Sequence, residues 1–208
     1  ASGNHDVAVI YSTVPAACGA VFTQNKMCAA PVLVSREVNK QPYAQAILVN
    51  SGCANACTGA QGIEDAKKMQ AHGAELLGIE PEQAFICSTG VIGHFLPMDK
   101  LLTGIADAID AMDETEGESC AMAIQTTDTF IKKAAYETEI DGKLVKIAGI
   151  AKGAGMIHPN MATMLTFITT DCAIAPDVLK RAVKAAADKS FNMVVVDGDT
   201  STNDSMIV

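Results

Sequence analysis

The chain has 208 residues, 49% hydrophobic and only 4% aromatic, with no tryptophan and a formal net charge of −9. That length can bury a sizeable core, as one large domain or two small ones, built here from Val, Ile, Leu, Met and Ala. The acidic balance argues against nucleic acid and anionic membrane as partners but not against a small acidic substrate, and no apolar run approaches the ~20 residues needed to span a bilayer.

Seven cysteines are scattered mostly through apolar segments (Cys28, Cys87, Cys172). That suits reduced thiols in a cytoplasmic protein better than a disulfide framework. Cys53 and Cys57 are the one close pair, and the four histidines do not cluster in sequence. Core or loop thiols are therefore expected, and no metal. The opening residues do not read as a signal peptide, and none is expected. Residues 1–6 reach the first strand so quickly that further leading residues are expected.

In chain order, residues 6–12 and 19–23 read as short strands around a turn at Pro15. Residues 29–35, Ala-Ala-Pro-Val-Leu-Val-Ser, and 46–50 read as apolar strands between polar breaks. Small residues, Gly and Asn make 50–62 a loop. Residues 63–77 keep near-helical apolar spacing up to the natural stop at Gly78. Residues 83–88 form a strand that delivers Thr89-Gly90 at its end. Residues 98–112 and 116–125 read as helices. Residues 132–139 and 143–150 form a hairpin around Asp141-Gly142, the turn signal. A buried strand opens at Thr163, an amphipathic helix covers 176–189, and 193–197 is a further strand. Strands come first in pairs and then interleave with helices, without steady βαβ alternation, so the fold is α+β. The chain stops inside the apolar run Met206-Ile-Val208, from which a longer parent protein is expected.

The stretch Lys152-Gly-Ala-Gly-Met-Ile-His-Pro-Asn-Met-Ala-Thr-Met-Leu165 organises the rest. Two glycines permit close backbone approach, His158-Pro159-Asn160 is a turn run, and Thr163 then opens an apolar β-branched segment. A threonine placed so is a candidate self-cleaving nucleophile. Its hydroxyl attacks the preceding carbonyl, water hydrolyses the ester, and the freed α-amine, unperturbed near ~7.7–8.0, becomes its base. The blander assignment is packing or capping. Thr89-Gly90 suits an oxyanion hole, a hydroxyl donor beside an N–H that glycine leaves open; an ordinary strand-end turn has the same spelling. Lys152 can bind a substrate carboxylate or lower the pKa of the new amine, or simply be solvated.

This stretch resembles the processing-site signature of the ornithine acetyltransferase family. Asn50-Ser-Gly-Cys-Ala-Asn-Ala-Cys-Thr-Gly59, Ser88-Thr-Gly-Val-Ile-Gly93, Thr126-Thr-Asp-Thr129 and Asp197-Gly-Asp-Thr-Ser-Thr-Asn-Asp204 resemble further family signatures, in the family's order. The resemblance implies two stacked β-sheets between helix layers, as in N-terminal-nucleophile enzymes. It implies self-cleavage between Ala162 and Thr163, an oxyanion hole at Thr89 and Gly90, and substrate contacts from Lys152, Thr126 and Thr163. Thr127 adjoins Thr126, and a slip of one residue would exchange them. Asn50, Asn55, Asp197 and Asp199 lie in matching motifs with turn and capping duties as the default. Cys53 stands where a more polar residue is expected.

The implied reaction carries acetyl from N-acetylornithine to glutamate through an acetyl-threonine ester in arginine biosynthesis, without cofactor. Acetyl-CoA is a donor for some members. The chain is then one incomplete catalytic domain, with 1–162 from the α part and 163–208 opening the β part. Its expected partners are the remaining β-chain segment and a second αβ unit, in an α2β2 heterotetramer. Two rivals stay open: a threonine-nucleophile aminopeptidase or amidohydrolase, in which water replaces glutamate, and an uncleaved, non-catalytic assembly subunit.

Overall fold

The computed structural model describes residues 5–158 and 164–208. The first half runs β1 (Val7–Ala17), β2 (Ala20–Phe22), α1 (Ala30–Val38), β3 (Tyr43–Cys53), α2 (Gly59–Leu77), β4 (Ala84–Val91) and α3 (Met98–Asp110). Then come α4 (Gly117–Ala123), β5 (Lys132–Ile140), β6 (Lys143–Lys152), β7 (Leu165–Thr170), α5 (Pro176–Asp188) and β8 (Ser205–Ile207). Among the described residues the strands make a three-stranded sheet, β1-β3-β4, and a five-stranded sheet, β2-β8-β7-β6-β5. Each is mixed: β3 pairs parallel with β4, and β7 parallel with β8.

Side chains that alternate along each strand decide the layers. On β3 and β4, Ile47, Val49, Phe85 and Cys87 face inward and meet Leu165, Phe167 and Ile207 from the second sheet. Their neighbours Leu48 and Ile86 point the other way, into Ala30, Val34, Ala66, Met69, Leu101 and Ile105 of α1, α2 and α3. On the far side, Leu179, Val183 and Ala187 of α5 pack on Met206 and Ile168. The order of layers is helix, sheet, sheet, helix, the α+β sandwich expected from the resemblance. The hairpin also forms as expected, with φ of 51° at Asp141 and 74° at Gly142, the double positive φ of a tight hairpin turn. Among the described residues no helix is long and apolar enough to cross a membrane.

Three expectations fail, and a fourth, the loop at 50–62, holds only in its middle, since β3 runs on to Cys53 and α2 opens at Gly59. Residues 29–35 are not a strand: they open helix α1, with extended Ala29 as N-cap and Pro31 in the first turn, where proline costs nothing. Packing overrides the β-propensity of the valines, because α1 lies along β4, an edge strand of its sheet. There the Ser35 hydroxyl donates to Ile86 O at 2.7 Å and accepts Ile86 N–H at 2.9 Å. Pro15 makes no turn; edge strand β1 runs through it, and a register shift between Tyr11 and Ala16 absorbs the missing donor. Residues 193–197 are not a strand either. Phe191–Met193 is a single 3₁₀ turn, and Val194, Val195 and Val196 follow it exposed. The strand lies instead at Ser205–Ile207, between β2 and β7.

Ser35 is fully buried, so Ser35→Ala leaves both edge groups of Ile86 unpaired. The expected loss is about 1–3 kcal/mol of stability, read from denaturant midpoints at unchanged slope. A loss within the ±0.5 kcal/mol usual for an inert surface change would show that the hydroxyl does not hold α1 to the sheet.

Candidate active site

Two strands from different sheets end at the same place. β4 carries Thr89, 6% exposed, out of the first sheet, and β6 ends at Lys152, 3% exposed, in the second. The Lys152 ammonium donates to Thr89 Oγ1 at 2.9 Å and to Thr126 Oγ1, on the link after α4, at 2.7 Å. Three residues singled out from the sequence are thus brought within one hydrogen-bond network. It is Thr126, not Thr127, that meets the lysine. An ammonium only donates, so each hydroxyl accepts from it and keeps its own proton for another acceptor. A charged donor also polarises the hydroxyls it binds, making them better donors.

Burial pushes the Lys152 pKa below the ordinary 10.5, while the carboxylates of Asp128 and Asp204 push it back up and Lys132 adds to the fall. Asp128 has its side chain wholly buried and accepts from the Lys132 ammonium and, at 2.8 Å, from the Gly153 N–H. Burial alone would raise its pKa. The bonds from Lys132 and Gly153, with the charges of Lys132 and Lys152, outweigh that and hold it below the usual carboxylate range.

Gly90 has φ of 132°, and a Cβ there would lie 2.2 Å from the carbonyl carbon of Gly52 and 2.6 Å from Cys53 N. Only glycine fits this crossing of β3 and β4. Asn50 ties the same crossing: its Oδ1 accepts from Ser88 Oγ at 2.6 Å and its Nδ2 donates to Cys53 O at 2.9 Å. Asn55, buried with φ of 47°, donates to Gly62 O and accepts from Thr58, bracing the entry to α2. The Cys53 thiol meets His94 O at 3.3 Å.

The segment 197–204 closes the site. The Asp197 carboxylate accepts the N–H groups of Met156 and Ile157 at 2.6 and 2.9 Å. The Met156 bond is the first cause of its lowered pKa. Asp199 is exposed and offers its own N–H to Asp197. Asn203 donates from Nδ2 to Ala54 O at 2.7 Å and to Ser88 O at 2.8 Å, and Asp204 Oδ1 accepts the Met164 N–H at 2.7 Å. Thr89, Lys152, Met164, Ser201, Asn203 and Asp204 line a cavity of about 10 Å³, room for about one water. Ala162 and Thr163, the expected cleavage pair, lie outside the described residues; Met164 follows Thr163 directly in the chain. Asp128, Asn203 and Asp204 were not singled out from the sequence, although each stands inside a quoted motif.

Burial raises the thiol pKa of Cys120 to about 11 and of Cys87 to about 12, so both stay protonated at neutral pH and are poor nucleophiles. Among the described residues no three His, Cys, Asp or Glu side chains gather as a metal site.

The ArgJ family model matches residues 1–208. The arginine biosynthesis bifunctional protein ArgJ of Symbiobacterium thermophilum is 52% identical over 207 residues, which cover 100% of this chain and 52% of that protein. The chain thus spans about half the length of the curated relatives it matches. The crystal structure of arginine biosynthesis bifunctional protein ArgJ from Bacillus halodurans superposes with a TM-score of 0.68 at 44% identity, covering 76% of this chain and 83% of that one. Ornithine acetyltransferase of Mycobacterium tuberculosis, solved with ornithine, gives a TM-score of 0.66 at 32% identity, over 77% of this chain and 84% of that one. On sequence and fold alike, the chain belongs to the ArgJ family.

Proposed function

We propose that the full-length protein is a self-cleaving glutamate N-acetyltransferase of arginine biosynthesis, acting in the cytoplasm. The observation that carries this reading is the buried Lys152 ammonium held between Thr89 and Thr126 at 2.9 and 2.7 Å, in a cavity that Met164 also lines. In the maturation step the Thr163 hydroxyl attacks the Ala162 carbonyl, the amide C–N bond breaks, and the acyl group moves to oxygen as the nitrogen takes a proton. Water then hydrolyses that ester, leaving an Ala162 carboxylate and a Thr163 with free amine and hydroxyl.

The same chemistry serves transfer. The freed hydroxyl attacks the acetyl carbonyl of N-acetylornithine, its proton passes through the α-amine to the leaving nitrogen, and ornithine departs. The glutamate amine then attacks the acetyl-threonine ester, restoring the hydroxyl and releasing N-acetylglutamate. Thr89, its hydroxyl proton directed away from Lys152, donates to the developing oxyanion together with the Gly90 N–H; one such donor is worth ~2.7–4 kcal/mol to the transition state. Thr126 is exposed and presents its hydroxyl to a substrate carboxylate. Ornithine in the Mycobacterium tuberculosis relative supports this substrate class, and acetyl-CoA is a second donor to be tested. The relatives are about twice as long as this chain. An apolar groove of about 450 Å³ along β5 to β7, lined by Tyr136, Ile147 and Ile168, is where we place the additional segment, and we take the αβ pair to associate as α2β2.

Intact mass of the full-length product is expected to show two chains separated at Ala162–Thr163, and labelled glutamate with N-acetylornithine to give labelled N-acetylglutamate. Thr163→Ala is expected to abolish both. Processing of the Ala variant at this bond would remove Thr163 from the mechanism, and acetate without acetylglutamate would favour the hydrolase.

The pH dependence follows from the lowered Lys152 pKa. Polarising the two hydroxyls needs the charge of the ammonium. The ratio kcat/KM is expected to rise as the Thr163 amine, unperturbed near ~7.7–8.0, deprotonates, and to fall again as Lys152 loses its proton at a pH below the ordinary lysine value of 10.5. Lys152→Arg keeps a charge that does not titrate below pH ~12, so the alkaline limb is expected to disappear at reduced kcat. An unchanged alkaline limb in that variant would assign it to another group.

A further inference from the structure

Two carboxylates grip the chain on either side of the segment that the reading above makes self-cleaving. Before it, Asp197 accepts the Met156 and Ile157 N–H groups at 2.6 and 2.9 Å. After it, Asp204 accepts the Met164 N–H at 2.7 Å, while the Met164 carbonyl accepts the Ser205 N–H at 3.0 Å. The Met164 nitrogen is bonded to the carbonyl carbon of Thr163. Next to Asp204, buried Asn203 donates to Ser88 O at 2.8 Å, and Ser88 precedes Thr89. The dipeptide Asn203-Asp204 therefore holds the neighbour of the nucleophile and the neighbour of the oxyanion donor at once. The turn has its own anchors, Thr23 Oγ1 to Ser201 O at 2.7 Å and Asn25 Nδ2 to Thr200 O at 2.9 Å.

We propose that residues 197–204 are a positioning element whose two acids act at different stages of the reaction. The inference rests on the self-cleavage reading. Asp197 holds the flank that stays joined to Thr163 only until the bond breaks, so it serves cleavage alone. Asn203 and Asp204 hold groups that remain together in the mature protein, so they serve cleavage and acetyl transfer. The physical requirement is distance: reacting atoms must be held ~3–3.5 Å apart, and a misplacement of ~1 Å costs about 10²-fold in rate.

The test uses the full-length protein. Self-cleavage is followed by intact mass, and kcat and KM are measured on the matured fraction. Asp197→Ala is expected to slow cleavage by about 10²-fold, while the matured fraction transfers acetyl with wild-type kcat; unchanged cleavage or a fallen kcat overturns the separation of stages. Asp204 faces Lys152, with Asp128 and Lys132 close by, so position and charge must be told apart. Asp204→Asn keeps an acceptor oxygen in place without the charge, and Asp204→Glu keeps the charge but displaces it by one methylene. Positioning predicts that the Asn variant stays within about tenfold of wild type, while the Glu variant loses about 10²-fold in kcat with little change in KM. The reverse order, equal losses or no loss overturns the proposal.

Gln70→Leu, which removes a buried bond to Ala84 O at the far end of β4, is expected to lower Tm and leave kcat intact. A kcat loss matching that of Asp204→Glu would reduce the turn to scaffolding. If Asp204→Glu does not fold, Asn203→Ala takes its place: kcat falls and KM holds, and a wild-type kcat overturns the proposal. A wild type that neither cleaves nor transfers sinks the underlying reading and this inference with it; an active wild type with indifferent variants sinks this inference alone.

Discussion

A lysine ammonium at 3% exposure is the constraint around which this molecule is arranged. Taking such a charge out of water costs several kcal/mol even after the surroundings relax, and the cost must be offset locally. Here the offset comes from every side: the hydroxyls of Thr89 and Thr126, and the nearby carboxylates of Asp128 and Asp204. These groups belong to different sheets and links. Lys152 can stay buried only while the end of β4, the end of β6 and the link after α4 remain together.

The sheets supply that registration. Lys152 stands opposite Leu165 on β7, and Leu165 opposite Ser205 on β8, so one row across the second sheet carries the lysine, the residue two after Thr163 and the residue after Asp204. Leu165 and Phe167 bury their side chains against Phe85 and Cys87 of the other sheet, which fixes the separation of the layers. Gly90 lets β4 pass within contact distance of Gly52 and Cys53, so that Thr89 can emerge there at all. Packing of the common core and geometry of the site are therefore one problem, solved by the same residues.

Much of this was legible in the sequence, and the exceptions have physical causes. Amphipathic helices announced themselves through spacing, and the Asp141-Gly142 hairpin through a dipeptide that tolerates positive φ. Residues 29–35 misled because Val, Leu and Val are as apolar in a buried helix as in a strand; the deciding partner, the edge of β4, is 51 residues away from Ser35. Residues 193–197 misled because a run of valines suggests a strand, whereas Asp197 bonds Met156 and Ile157 and draws the segment into a loop. At the site, Thr89, Gly90, Thr126 and Lys152 stood out through the resemblance. What no local pattern could give is that Lys152 reaches two of them across the sandwich. Asp128 and Asp204 accept from distant backbone N–H groups and Asn203 donates to distant carbonyls, and a backbone partner leaves no mark on the sequence that supplies it.

We propose that Lys152 works through Thr89. A double-mutant cycle tests it most directly, with the first-order rate of self-cleavage measured in full-length Thr89→Ala, Lys152→Met and the double variant. Each single change is expected to cost about 10²–10³-fold, and the double variant no more than the worse single, because groups that act as a unit are not additive. Losses that multiply would mean that the two residues contribute independently, and that the bridge between the sheets does not prepare Thr89 for the proposed oxyanion role.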